Sequence, residues 1–394
     1  MPIPMNSITQ LCTGCRACEQ SCPKQCIFMI EDEEGYLNAK IDSSKCIDCG
    51  VCVRTCPQNN PIVNKGTKSV YALRLKDSKV IYNSASGGVF PALAEYVISL
   101  GGVVFGAAYD DNMNVRHIHI SNVNELSKIQ GSKYVQSDTS NTYDVVKKLL
   151  NADICVLYTG TPCQIAGLKK YLKIDYNKLI TADIVCHGVP SSKIFARYIE
   201  WMSKKMGGKI GYCNFRDKKD GWGLSLGISL STGTQSKLLV GPNDSYYRHF
   251  LDGDMHRPCC YECRYCSDSR PADFTMGDYW GIEQEHPGFY SYHGVSMLML
   301  NSNIALRVWE NIKDKFEFLE SSFEKASKNN GNLCSPSKRG KLRDDIYNKL
   351  NEYSNDEFFG IYLKPAISIK NRIKEFIPPT IRLLLKKIKS SNVL

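Results

Sequence analysis

Apolar positions between residues 68 and 318 alternate between two periods. Short runs at Val70–Leu75, Val103–Ala107, Ile154–Tyr158 and Leu179–Val185 predict strands. Between them, stripes of helical period predict helices over Gly88–Leu100, Tyr143–Leu150 and Gln164–Leu172. Leu224–Leu230 and Val295–Leu300 again read as strands, and Ile304–Ile312 as a helix. Strands interleaved with helices predict an α/β body over 68–318. A short module, 1–62, precedes it and ends at the linker-like Asn59-Asn60-Pro61. A helical, basic region, 319–394, follows. Val89–Tyr109 imitates a membrane span, but Pro91, Glu95 and the pair Gly101-Gly102 divide it into helix, stop and buried strand.

Composition narrows the class. Of 394 residues, 43% are hydrophobic and 23% charged, a globular balance that excludes a disordered or fibrous chain. The net charge is +10, but between Lys364 and Lys389 eight Lys or Arg stand against one Glu, so the tail carries +7. The rest of the chain gives no electrostatic footprint for nucleic acid. Eighteen cysteines are the unusual feature, nine of them within the first 56 residues. Such density in a disulfide framework belongs to short secreted chains. The first eleven residues hold no Lys, no Arg and no apolar run, so no secretory signal is read. Metal-bound thiolates in a reducing, cytoplasmic compartment fit the pattern.

Two runs carry that chemistry: Cys12-x2-Cys15-x2-Cys18-x3-Cys22-Pro23 and Cys46-x2-Cys49-x2-Cys52-x3-Cys56-Pro57. This is the spacing of bacterial ferredoxins that hold two 4Fe–4S clusters, in which the fourth cysteine of each run serves the other cluster. The expected sets are therefore Cys12, Cys15, Cys18 and Cys56, and Cys46, Cys49, Cys52 and Cys22. Structural zinc uses separated cysteine pairs, often with histidine, and no histidine precedes His117. Cys26 is left over, either a buried small hydrophobe or a replacement ligand.

Farther on, Ser84-Ala85-Ser86-Gly87-Gly88 opens a helix, where small residues let backbone N–H groups meet an anion. Gly131-Ser132-Lys133-Tyr134 offers a cation, a hydroxyl and an aromatic face. Thr159-Gly160-Thr161-Pro162-Cys163-Gln164 joins a strand to a helix, where α/β sheets collect ligands. Cys186-His187-Gly188, then Arg257-Pro258-Cys259-Cys260-x2-Cys263-x2-Cys266, then Gly277-Asp278-Tyr279-Trp280-Gly281 complete the series.

Together these residues resemble the beta subunit of the coenzyme F-420-reducing hydrogenase/dehydrogenase family, over the ferredoxin module and the body to about residue 315. The stretch Phe215-Arg216-Asp217-Lys218, with Gly221-Trp222, is similar to a bacterial branch found among polysaccharide-biosynthesis genes. The resemblance implies an α/β body that binds FAD through Ser86, Gly87, Gly88, Ser132, Lys133, Tyr134, Gly160 and Thr161. It implies a third 4Fe–4S cluster on Cys163, Cys186, Cys260 and Cys263. Local spacing offers a rival, since Cys260, Cys263 and Cys266 repeat the ferredoxin three-ligand pattern. Cys155, Cys213 and Cys334 read as ordinary core or loop residues.

His187 and Asp278 are the catalytic candidates, His187 as a proton donor beside the flavin and Asp278 as a group polarising the flavin edge or binding substrate; His256 is a weaker one. The expected activity is an FAD- and iron–sulfur-dependent oxidoreductase. It exchanges electrons with ferredoxin or another redox protein, and with coenzyme F-420 or a small organic substrate. The alternative is a non-catalytic electron-transfer subunit that wires a partner enzyme. In the tail, Ile369, Ile373, Phe376 and Ile377, then Ile381, Leu384, Leu385 and Ile388, form apolar stripes among basic residues. Such a stripe fits either peripheral contact at the inner membrane face or docking on the protein's own body.

Overall fold

A computed structural model of the protein describes residues 11–223 and 227–366, together with 377 and 381. In the N-terminal module two short helices, α1 (Ala17–Ser21) and α2 (Val51–Thr55), flank an antiparallel hairpin of β1 (Ile27–Glu31) and β2 (Leu37–Ile41). The two halves repeat one backbone shape: Gly14 and Arg16 before α1, and Asp48 and Gly50 before α2, all have positive φ. Left-handed residues on both sides of a cysteine turn successive N–H groups into a concavity that receives negative charge. A non-glycine residue costs about 1 kcal/mol in this conformation, so Arg16 and Asp48 hold it against local preference.

The body begins with β3 (Ser69–Leu75), α3 (Ser78–Tyr82), α4 (Val89–Ser99), β4 (Val103–Tyr109), β5 (Val115–Ile120), α5 (Leu126–Ile129) and α6 (Thr142–Asn151). It continues through β6 (Val156–Gly160), α7 (Pro162–Leu172), β7 (Leu179–Ile184), α8 (Ser192–Lys205), β8 (Tyr212–Asp217), β9 (Gly227–Ser231), β10 (Ser236–Val240) and α9 (Ser245–Leu251). Then come β11 (Phe274–Asp278), α10 (Ile282–Glu285), β12 (Ser296–Leu300), α11 (Asn303–Ile312), β13 (Phe316–Ser321), α12 (Phe323–Ser327) and α13 (Arg343–Lys349).

Eight strands form the main sheet, in the order β13-β3-β12-β11-β7-β6-β4-β5, and β10-β9-β8 form a small antiparallel one. β3, β11, β7, β6 and β4 share one direction; β13, β12 and β5 run against it. The central strands are covered on both faces, which is why they read as continuous apolar runs. Val104, Leu157 and Ile180 enter the core under α4 and α11. Val103, Phe105, Val156, Tyr158 and Leu179 enter the core under α6 and α7, and Cys15 and Ala17 of the N-terminal module join them there.

The expected helix and strand positions hold, with shifts at their ends. β6 starts at Val156 rather than Ile154, and α7 starts at Pro162, with a Thr161/Gln164 capping box. The expected boundary after residue 318 falls inside β13, which pairs with β3 in the main sheet. Ile346, Tyr347, Phe358, Phe359 and Leu363 share one core with α8 and the small sheet, so the chain to Leu363 packs as part of the body. Of the strand expected over 224–230, residues 227–230 lie in β9 and 224–226 lie outside the described residues. The tail stripes also lie outside them, apart from Ile377 and Ile381. Among the described residues no helix is long and apolar enough to cross a membrane.

Candidate functional site

The N-terminal cysteines fall into the two crossed sets. Cys22, Cys26, Cys46, Cys49 and Cys52 line one cavity of about 180 Å³. Cys12, Cys15, Cys18 and Cys56 line a second, of about 30 Å³, whose wall Cys52 shares. No three His, Cys, Asp or Glu among the described residues close on a point tightly enough for a single metal ion. The thiols ring cavities instead, an arrangement suited to a many-atom cluster, and the inward N–H groups suit its negative charge: Gly14 N donates toward Cys12 Sγ at 3.4 Å. Cys26 is buried, with its sulfur 3.4 Å from that of Cys22, so it is a fifth thiol of that cavity.

The third expected set converges from two strand ends and one loop. Cys163 opens α7 after β6, Cys186 follows β7, and Cys260 and Cys263 lie in the segment before β11. Cys163 lies within electrostatic reach of Cys186, Cys259 and Cys263, and Cys260 within reach of Cys163 and Cys186. Cys266 joins them beside Cys263. Six thiols therefore gather where one cubane needs four, and both ligand assignments stand within this group. Gly188 N donates toward Cys186 Sγ at 3.4 Å, repeating the Gly14 arrangement. Burial pushes the Cys15 and Cys186 thiols up to about 12. Metal loading at such residues displaces the proton.

Helix α7 ties the two regions together. A Cβ added to Gly167 would lie 2.9 Å from Cys15 Sγ, and Cys163 stands one helical turn before Gly167. The Cys12 set thus faces the body, while the Cys22 set lies on its far side, with Cys49 and Ile47 exposed.

The glycine-rich segments gather at the carboxyl ends of the parallel strands, where α/β sheets bind ligands. The 84–88 turn sits beyond β3, held by Ser86 Oγ donating to Val295 O and by Gly87 N donating to Ser296 Oγ. Gln130 Nε2 donates to Ser84 Oγ at 3.0 Å, which brings the Ser132-Lys133-Tyr134 loop beside this turn. Helix α4 follows Gly88 with no side-chain cap, so the N–H groups of Val89 and Phe90 stand free of a side-chain cap, while Pro91 has no N–H to offer. Gly87 and Gly88 also have a purely internal reason to be glycine: Cβ atoms there would lie 2.4 Å from Leu73 O and 2.6 Å from Leu75 Cδ1. Lys133 donates to Gln130 O, and burial pushes its ammonium down to about 7. Tyr134 stacks on Phe250 with ring centroids 4.4 Å apart. Gly160 ends β6 and Thr161 is the N-cap of α7, its N donating to Gln164 Oε1. The uncapped helix start and the adjacent lysine loop fit the phosphates of a dinucleotide such as FAD.

Both catalytic candidates are engaged by the fold. The ring nitrogens of His187 pair with Asn332 Oδ1 and Leu251 O. Asp278 Oδ1 accepts from Arg216 Nη2 at 2.8 Å and from Trp222 Nε1 at 2.6 Å. Trp222 in turn stacks on Trp280 with planes 4° apart, and Arg216 lies over the Trp280 ring. His256, the weaker expectation, is fully buried, and among the described residues neither ring nitrogen finds a partner of normal hydrogen-bond geometry; burial pushes it down to about 3.

Two residues stand in stretches quoted from the sequence, but their roles appear only in the structure. Lys218, buried, donates to the carbonyls of Ile81, Ser86 and His293 and so fixes the 84–88 turn from below. Arg257, also buried, joins the N-terminal module to the body. A single basic residue in a loop carries no sequence signal that separates such a role from solvent exposure.

Residues 11–60 match the model of 4Fe-4S dicluster domains, and residues 155–325 match that of the C-terminal part of the coenzyme F420 hydrogenase/dehydrogenase beta subunit. One subunit of the ion-translocating oxidoreductase complex from Methanosarcina acetivorans is 47% identical over 47 residues, 12% of this chain and 16% of that one. The chain therefore spans well under two thirds of that relative. An uncharacterized protein from the rpl9-rpl11 intergenic region of Porphyra purpurea is 33% identical over 66 residues, 16% of this chain and 87% of its own length. A chain of the F420-reducing [NiFe] hydrogenase complex from Methanosarcina barkeri superposes with a TM-score of 0.44 at 16% identity, over 74% of this chain and 91% of its own. Residues 155–325 are thus a C-terminal region of the coenzyme F420 hydrogenase/dehydrogenase beta subunit family, and a 4Fe–4S dicluster domain precedes them in this chain.

Proposed function

We propose that this protein is an iron–sulfur flavoprotein oxidoreductase. It passes electrons between a redox partner at the exposed Cys49 end and an FAD at the carboxyl edge of the main sheet, where a deazaflavin or another small organic molecule reacts. A flavin exchanges electrons in pairs or singly and a 4Fe–4S cluster singly, so the combination converts one mode into the other. The contact of Gly167 with Cys15 carries the reading, because it sets the cysteine groups in series rather than on opposite sides of the protein.

The chain's own residues do the positioning. Cys22, Cys46, Cys49 and Cys52 would hold the outer centre, and Cys12, Cys15, Cys18 and Cys56 the middle one. Four of the six thiols around Cys163, Cys186, Cys260 and Cys263 would hold the inner centre. Lys218 and Ser296 hold the 84–88 turn, Lys133 supplies a cation to the same edge, and Tyr134, Phe215, Tyr247 and Phe250 form an aromatic wall that keeps water out.

Anaerobic purification with iron, sulfide and released-flavin assays tests this. The expected result is about twelve irons and one FAD per chain. About eight irons and no flavin after reconstitution would reduce the chain to a ferredoxin-fused electron-transfer module.

A further inference from the structure

Four arginines are buried among the described residues: Arg216, Arg257, Arg270 and Arg343. Three have a carboxylate: Asp278 for Arg216, Asp183 for Arg270 and Glu34 for Arg343. Arg257, 2% exposed, has none within ion-pair distance among the described residues. Its guanidinium donates instead to neutral oxygens: Cys12 O at 2.6 Å, Gln136 Oε1 at 2.8 Å, Leu37 O at 2.9 Å and Asn38 Oδ1 at 2.6 Å. Lys218 is also buried without a carboxylate, but a lysine relieves the cost by losing its proton and an arginine does not.

An unneutralised buried cation is strongly unfavourable, so a fold that keeps one must supply negative charge from elsewhere. The guanidinium lies within electrostatic reach of Cys12, Cys259 and Cys260. Gly14, in the loop between Cys12 and Cys15, lets it come close: a Cβ there would stand 3.0 Å from Arg257 Nη1. The backbone is fixed as well, since Arg257 N donates to Val189 O, three residues beyond Cys186. A thiolate-bound 4Fe–4S cluster is an anion and becomes more negative on accepting an electron.

We propose that Arg257 is the shared counter-charge of the Cys12/Cys15/Cys18/Cys56 centre and of the centre built on Cys163, Cys186, Cys260 and Cys263, and that it raises the reduction potential of both. This rests on the cluster assignment proposed above. Removing a fixed positive charge beside a centre penalises its reduced form more than its oxidised form, so its potential falls. At the outer centre of Cys22, Cys46, Cys49 and Cys52 the neighbouring arginine is Arg54, which donates to Cys49 O at 3.0 Å but is exposed and screened by water, so this centre lies outside the contacts of Arg257 and serves as an internal reference.

The test is a mediated redox titration of the full-length, cluster-loaded protein, with a low-potential chemical reductant and the centres followed by EPR. Cys49→Ala assigns the outer signal. In Arg257→Gln the inner and middle centres titrate at lower potential and the outer one is unmoved, while Arg257→Lys returns both toward wild type. Gln136→Glu, which sets a carboxylate against the guanidinium with little change of shape, lowers the middle centre as well and covers the case in which Arg257→Gln fails to fold. Unchanged potentials in these variants, an equal shift of all three centres, or a lysine variant as low as the glutamine one would overturn the proposal. A wild-type protein lacking the inner centre would sink the cluster assignment instead, and the middle centre's response would still judge Arg257.

Discussion

Gly167 lies against Cys15, so close that an added Cβ would stand 2.9 Å from the sulfur and 3.0 Å from the Tyr143 hydroxyl. In mid-helix a glycine costs about 1 kcal/mol relative to alanine, so the position gives up helix stability for this approach. Gly167→Ala recovers that amount but overpacks the contact, at about 1–3 kcal/mol. The expected net change is a loss of up to about 2 kcal/mol in urea unfolding. Gly167→Val, bulkier and stiffer, is expected to lose the iron of the Cys12 set while the Cys22 set still loads. Full iron content in the valine variant would show that the module docks without this contact.

The crossing of the cysteine runs gives an asymmetric prediction. Cys18 senses Cys12, Cys15 and Cys56, whereas Cys22 shares its cavity with Cys26 and the Cys46 run. Cys56→Ala is expected to remove about four irons per chain, those of the centre on the opposite run. Cys22→Ala is expected to keep most of its iron, because Cys26 is already within 3.4 Å and lines the same cavity. The double variant Cys22→Ala/Cys26→Ala is then the one that loses the outer centre. Equal iron loss in Cys22→Ala and in the double variant would show that Cys26 does not serve.

How much of this was legible in the sequence depended on whether the signal was local. The parallel strands showed as apolar runs because both of their faces are buried, and the ferredoxin spacing fixed which cysteines share a cavity. β13 was hidden because Phe316–Ser321 alternates with charge at the edge of the sheet and reads as polar. The role of Gly87 and Gly88 was misleading for a different reason. Glycines in a turn point to a ligand, yet here they also answer the backbone of β3 and the side chain of Leu75. The roles of Arg257 and Lys218 were invisible, although both stand in quoted stretches, because their partners are carbonyls distant in sequence, and no spacing rule encodes those.

Asp278 separates a structural role from a catalytic one. Its carboxylate neutralises the buried Arg216 and accepts from Trp222, so it holds the Trp222–Trp280 stack at the end of β11. Removing one partner of a buried pair costs about 3–5 kcal/mol. Asp278→Asn keeps an acceptor for Trp222 and loses the charge, and the expected loss is near the lower end of that range. Urea unfolding is expected to show this, with the flavin absorption of the folded protein unchanged. Unaltered stability together with lost turnover would move Asp278 into the chemistry.

His117 makes the fold acid-labile. It is buried, and it stacks on Tyr158. Its Nε2–H donates to Thr159 O, so Nδ1 accepts from the Ser137 hydroxyl, and the ring is held neutral. Burial pushes it down to about 4 from an ordinary value of 6.5. The unfolded chain therefore binds the proton more readily, and the stability this residue contributes is fully present above the unfolded value and is lost as pH falls toward the folded one. By linkage the loss between pH 7 and pH 5 is about 2 kcal/mol for this residue. Replacing it with Gln removes the titrating group and keeps hydrogen-bonding atoms. Urea unfolding at the two pH values is expected to show a shallower fall in His117→Gln than in the wild type, by about that amount. Equal slopes in the two proteins would mean that His117 is protonated as easily in the folded chain as in the unfolded one, and that its bonds to Thr159 and Ser137 do not fix the neutral ring.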